Sequence, residues 1–122
     1  METVYLRVSG ETPAKKNSRI VLKNGRNIPS KRYKEWHEKA KKELKGQFQR
    51  EPIETKVFIK LTFHHKDNRR RDSDNGTSSI FDLLQDAGVL IDDRWQIIQS
   101  FKVLNEKGEN AFCEIEIWER EE

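Results

Sequence analysis

A single cysteine in 122 residues excludes an intramolecular disulfide. Cys113 falls in phase with Ile115 and Ile117 in a strand-like stretch, so it reads as a small buried hydrophobe rather than a catalytic thiol. Only three prolines and six glycines are present, and no linker, repeat or low-complexity tract stands out. No cationic-then-apolar leader opens the chain, and no apolar run approaches the ~18 residues that span a bilayer. The expected location is therefore cytoplasmic, with no membrane partner. Hydrophobic residues are scarce at 34% and charged ones abundant at 37%, yet three Trp, six Phe and patterned aliphatics argue against disorder. The length suits one domain, 1–122, with a modest core and an ionic surface.

The net charge of +3 conceals an asymmetry. Residues 1–50 carry 14 Lys or Arg against 5 Glu, a net of +9, and residues 51–122 carry 10 against 16, a net of −6. A basic half beside an acidic half suits a protein that grips a polyanion with one part and concentrates cations with the other.

Thr3–Ser9 alternates Val4, Leu6 and Val8 against Tyr5 and Arg7, which predicts a strand. Gly10–Asn17 reads as a basic loop carrying Lys15 and Lys16. Ser18–Leu22, which includes Arg19, and Arg26–Pro29 read as two short arms about the turn Asn24–Gly25. Ser30 is the expected N-cap of a helix to about Gln49, with Tyr33, Trp36, Ala40 and Leu44 on its apolar side and lysines elsewhere. Lys56–Phe63 is the clearest strand, with Val57, Ile59, Leu61 and Phe63 on one face. From Asn75 a second helix is expected, with Ile80, Leu83, Leu84 and Ala87 as its stripe and Gly88 just past its end. Ile97–Leu104 and Ala111–Trp118 are expected to form a closing β-hairpin about Asn105–Asn110. The fold class is α+β: strand, helix, strand, helix and β-hairpin, a mixed sheet with helices packed on it.

Three features gather around the second helix: the run Arg69–Arg70–Arg71, the Asp72-x-Asp74 pair, and Asp92–Asp93 one helix later. In an extended segment Asp72 and Asp74 point to the same side, although Asp74 also stands where it can cap the helix. The helix is expected to return Asp92 or Asp93 to the pair. Clustered carboxylates repel unless a cation neutralises them, and hard oxygen ligands suit Mg²⁺, with Mn²⁺ as substitute. Such a metal activates water and stabilises charge on a phosphodiester, while Arg69, Arg70 and Arg71 hold phosphate oxygens beside it. An EF-hand is excluded: counted from Asp72, the glycine comes fifth rather than sixth, and the twelfth position is Leu83.

The stretch Arg69-Arg-Arg-Asp72-Ser-Asp74-Asn75, followed by Phe81-Asp82-Leu83-Leu84 and Ala87-Gly88-Val-Leu-Ile-Asp92-Asp93, resembles the RusA family of Holliday junction resolvases. The likeness is densest from Arg69 to Asp93 and looser over the rest of the chain. It implies a homodimeric, Mg²⁺-dependent endonuclease that places paired nicks across four-way DNA junctions in recombination and repair. It also implies that Asp72, Asp74 and Asp93 are the catalytic, metal-holding carboxylates, with Asp92 at the edge of that set. Members are often carried by phages and prophages. The family commonly has a lysine four residues after the second aspartate of Asp-x-Asp, and here that position is Ser78. A non-catalytic or weakly catalytic junction-binding protein of the same family is therefore the alternative.

Lys15, Lys16 and Arg19 are the expected DNA grip of the first loop. His64–His65 lacks companions at zinc spacing and reads as a surface pair. Thr77, Ser78 and Ser79 read as a polar first helical turn. Trp36, Trp95 and Trp118 read as core or dimer contacts, and Phe112, Trp118 and the region of Trp95 are the expected dimer surface.

Overall fold

A computed structural model describes residues 2–14, 19–69 and 76–119, with Arg19 given by its backbone alone. Eight elements follow in order: β1 (Val4–Ser9), β2 (Arg19–Val21), β3 (Asn27–Pro29), α1 (Lys31–Gln47), β4 (Val57–His65), α2 (Thr77–Asp86), β5 (Ile98–Lys107) and β6 (Phe112–Glu119). The helices start and stop for local reasons. Ser30 sits in extended backbone and its hydroxyl accepts from the Tyr33 N–H, as the N-cap preference requires. At the far end of α2, Gly88 takes φ +76°, the left-handed conformation that closes a helix.

β1, β6, β4 and β5 form one mixed sheet in that order, and β2 and β3 form a separate ribbon. β6 pairs antiparallel with both β1 and β4, whereas β4 and β5 run parallel. A parallel pair requires a crossover, and α2 supplies it. The expected hairpin of the last two strands is not formed: β4 lies between β5 and β6. β5 also runs on to Lys107, through the first part of the expected turn, and the chain then passes over the end of β4, where the Gly108 N–H donates to the His65 carbonyl at 2.9 Å. The physical reason lies in β4 itself. Its inward residues are sealed while its outward ones are only half-buried, a pattern most stable with a paired strand on both edges.

Both helices contribute to one core. Val4, Leu6 and Val8 meet Ile59, Leu61, Phe63, Cys113, Ile115 and Ile117 beneath Ala40, Leu44, Ile80, Leu83 and Leu84. At roughly 25 cal/mol per Å² of buried apolar surface, this face dominates the stability of so polar a chain. Cys113 is fully buried within it. Burial, and then the neighbouring Glu114, push its thiol far above the usual range, in keeping with a packing role.

The opposite sheet face carries no helix among the described residues. There Phe58 lies 6.2 Å from Trp118, Tyr5 is exposed, and Phe112 is covered by the Arg7 guanidinium at 3.8 Å and by the stacked His64 ring at 4.2 Å. Trp36 packs against the core, as expected, whereas Trp95 stands 73% exposed and belongs to no core.

Candidate active site

Two loops issue from the end of the sheet where β4 finishes, and three contacts lock their bases. Glu11 Oε1 lies 2.7 Å from His65 Nδ1, and Asn105 Oδ1 lies 2.8 Å from His65 Nε2. The Ser79 hydroxyl donates to the Pro13 carbonyl at 2.7 Å, tying the first half of the Gly10–Asn17 loop to the first turn of α2. Gly76 packs so closely on Phe63 that a Cβ there would stand 2.7 Å from a ring carbon. These ties hold Glu11 and Gly76 against the same end of β4, and Pro13 against the first turn of α2.

The pair His64–His65 is thus not a simple surface feature. The side chains are only 16% and 17% exposed, with His64 Nε2 2.5 Å from Glu114 and His65 bound as above. Alternation along the strand gives the two imidazoles opposite faces, and each finds a carboxylate there. Thr77 and Ser79 are likewise buried rather than solvated, while Ser78 between them is exposed. No sequence signal distinguished these three hydroxyls, because their burial depends on where the loop before β2 crosses.

Beyond His65, the Asp67 carboxylate accepts from the Arg69 N–H at 3.0 Å and meets the Arg69 Nε at 3.2 Å. Such a bond from an aspartate to the backbone two residues on is the turn-forming habit of this side chain. Arg69 nonetheless keeps its side chain 80% exposed. A shallow cleft of about 290 Å³ opens beside it, lined by His65, Asp67, Asn68, Arg69, Asn105, Glu106 and Lys107. The first turn of α2 has no acidic residue, so the positive partial charge of its N-terminus is not neutralised within the helix.

Asp72, Asp74, Arg70, Arg71, Lys15 and Lys16 lie outside the described residues, as does the side chain of Arg19. Asp92 and Asp93 are described, and they differ. The Asp92 carboxylate accepts from the Asp93 N–H at 2.7 Å and faces the Arg94 guanidinium at 3.8 Å. Asp93 is exposed, and among the described residues no group pairs with its carboxylate. Asp92 shapes its own turn, and Asp93 keeps its oxygens available.

The Asp92–Asp93 turn is anchored at the beginning of β4, not at its end. Leu90 bridges to Ile53, and the Val57 N–H donates to the Ile97 carbonyl at 2.8 Å. Gly76, by contrast, is seated on Phe63. Those anchors stand about 20 Å apart along the strand at ~3.3 Å per residue. Helix α2, ten residues long, separates them instead of returning one to the other.

One further acidic group escaped the sequence reading. His37, Asp82 and Asp86 bring ligand-type atoms within 4.8 Å of one another, across the line where α1 meets α2. The i, i+4 spacing of Asp82 and Asp86 was the available signal. His37 Nε2 lies 2.8 Å from Asp86, while its buried Nδ1 has no hydrogen-bond partner. A metal-bound histidine ordinarily donates its second N–H to an acceptor. The group therefore serves best as a clamp between the helices.

Comparison with known proteins gives the family. The family model for endodeoxyribonuclease RusA matches residues 10–118. The chain belongs to the RusA family of endodeoxyribonucleases. It is also 31% identical, over 93 residues, to the crossover junction endodeoxyribonuclease RusA of Aquifex aeolicus (strain VF5), covering 76% of this chain and 74% of that protein. The RusA match takes in the loop with Lys15, Lys16 and Arg19, the Arg69–Asp74 run and the Asp92–Asp93 turn. It reaches to within a residue of the end of β6, so three strands of the four-stranded sheet, β4, β5 and β6, fall inside the match and β1 lies just before it.

Proposed function

We propose that this RusA-family chain is a Mg²⁺-dependent endonuclease that resolves four-way DNA junctions by paired, symmetric nicks. The observation that carries this reading is the family match across residues 10–118, which spans every carboxylate invoked. Asp72, Asp74 and Asp93 are the proposed ligands. Their all-oxygen donor set suits Mg²⁺ or Mn²⁺, and the exposed, unpaired carboxylate of Asp93 fits that task as the engaged carboxylate of Asp92 does not. When bound, the metal supplies Lewis acidity and a more acidic water.

The protein's own residues do the rest. Arg69, held by Asp67 yet exposed, offers its guanidinium to a phosphate oxygen. In this reading Arg70, Arg71, Lys15, Lys16 and Arg19 add further phosphate contacts. The His65 ties to Glu11 and Asn105 keep the bases of the two loops in register.

A homodimer completes the arrangement. The anchors of the Asp72–Asp74 segment and of Asp93 lie at opposite ends of α2, so the reading assigns Asp93 of each site to the partner subunit. A twofold axis then yields two equivalent sites for a twofold-symmetric substrate. The open sheet face with Tyr5, Phe58 and Trp118, and the exposed Trp95 beside Asp93, are the proposed contact surfaces.

The test is cleavage of a labelled synthetic four-way junction and of the matching linear duplex, with and without Mg²⁺. Paired nicks on the junction alone, dependent on the cation, are expected. Binding without any cleavage would favour the second reading, a non-catalytic junction-binding protein, which the exposed Ser78 at the family's lysine position motivates.

A further inference from the structure

Helix α1 carries seven basic residues, Lys31, Arg32, Lys34, Lys39, Lys41, Lys42 and Lys45, against Glu35, Glu38 and Glu43. A helix that merely faces water gains from alternating signs in i, i+4 pairs. Here the acids do little of that. Glu43 is turned to β1, where it accepts from the Ser9 N–H at 3.2 Å and from the Ser9 hydroxyl at 2.8 Å. Lys31 meets Glu35 at 3.7 Å, and among the described residues no carboxylate pairs with Lys34, Lys41, Lys42 or Lys45.

The cations are also placed against local stability. The first turn of α1 contains no acidic residue, and Lys31, Arg32 and Lys34 stand there, where the helix dipole disfavours positive charge. Spacings of seven and four put Lys34, Lys41 and Lys45 on one side of the helix, with the exposed Glu38 as the one acid among them, over about 17 Å at ~1.5 Å per residue. The platform beneath them is firm. Tyr33, Ala40 and Leu44 are buried, the Gln47 side chain exchanges two 2.8 Å hydrogen bonds with the Arg7 backbone, and His37 is clamped to Asp86.

We propose that this side of α1 is a second nucleic-acid surface, along which one duplex arm of the substrate lies with its phosphates against Lys34, Lys41 and Lys45. Duplex DNA presents one charge per ~1.7 Å of axis, so a 17 Å row of lysines faces more phosphates than it has charges. A rigid row loses less freedom on binding than a mobile loop does. The surface gives affinity without reading bases, because lysine contacts to phosphate carry no sequence information. It rests on the nuclease reading for its substrate, and it adds a contact that the loops at the end of β4 do not make.

The experiment compares the full-length wild type with Lys34→Gln/Lys41→Gln/Lys45→Gln. The control is Lys23→Gln/Arg50→Gln/Lys56→Gln, which removes the same charge from exposed positions in the turn between β2 and β3 and in the connection from α1 to β4. Binding of a four-way junction and of a linear duplex is followed by anisotropy over a range of NaCl, with circular dichroism confirming that each variant is folded. At ~0.9 per phosphate contact, the α1 variant is expected to flatten the slope of log affinity against log salt by about 2 to 3, and to weaken both probes more than tenfold at low salt. The control is expected to change the slope by less than about 1. An unchanged slope in the α1 variant, or an equal loss in the control, overturns the proposal while leaving the nuclease reading intact. A wild type that binds neither probe overturns both.

Discussion

Glu11 and His65 are 54 positions apart in sequence and meet at 2.7 Å, with the second ring nitrogen of His65 held by Asn105. This one imidazole joins the loop before β2, the end of β4 and the end of β5. His65→Leu breaks both of these contacts in a half-buried setting. A loss of about 1–3 kcal/mol is expected from urea denaturation, with junction cleavage reduced further than junction binding. An unchanged denaturation midpoint would show that the loops are held by other means.

Gly76 makes a sharper prediction. Its Cβ would stand 2.7 and 2.9 Å from two ring carbons of Phe63 and 3.3 Å from Thr12, and Phe63 is itself buried. Gly76→Ala is expected to destabilise the fold by about 1–3 kcal/mol through overpacking, and to lower cleavage because the strain enters next to Asp74. Gly46→Ala, in the last turn of α1 where a Cβ meets nothing within 4 Å, is the contrast and should be neutral or slightly stabilising. Equal thermal shifts for the two variants would contradict the packing.

Much of this was legible in the sequence, and the failures share a cause. Period-two burial in β1 and β4, the Ser30 cap and the Gly88 terminus are local signals, and the structure matches each. Local signals do not say which strands become neighbours. β5 and β6 are consecutive and run in opposite directions, which resembles a hairpin until β4 is seen between them. The same limit applies to the site. Residue types and spacing marked Asp72, Asp74 and Asp93, but the length and direction of α2 decide which ends meet. Ser79, His65 and the His37–Asp86 clamp depend on partners 66, 54 and 49 residues away, and no periodicity encodes those.

Ser78 is exposed on the first turn of α2, between the buried Thr77 and Ser79. A longer side chain there therefore meets no packing barrier. Ser78→Lys restores the residue common in the family, at the edge of the Asp72–Asp74 segment. Its expected effect is a several-fold rise in the single-turnover cleavage rate with little change in thermal stability. No change, or a fall, would show that Arg70, Arg71 or Lys66 already supplies the cation.

Cys113 should be inert. Burial raises its thiol pKa, with Glu114 adding to the effect. A pKa raised on folding stabilises the native state fully only below the unfolded thiol's pKa, and that contribution fades as pH rises through the folded value. Thiol-reactive disulfide reagents at pH 8 are expected to leave the native chain unmodified and to label one thiol in denaturant. Rapid labelling of native protein would place Cys113 outside the core. Cys113→Ala is expected to keep full nuclease activity.

The central claim is that Asp72, Asp74 and the partner subunit's Asp93 hold one metal, and mixing inactive variants tests it most directly. Asp74→Asn and Asp93→Asn are each expected to bind a four-way junction in Mg²⁺ without cutting it. Heterodimers of the two retain one intact site, because one subunit brings wild-type Asp72 and Asp74 while the other brings wild-type Asp93. Co-refolded mixtures should therefore nick one strand of the junction without resolving it. Cleavage at the wild-type rate by either variant alone, or mixtures as inactive as their components, would contradict the account.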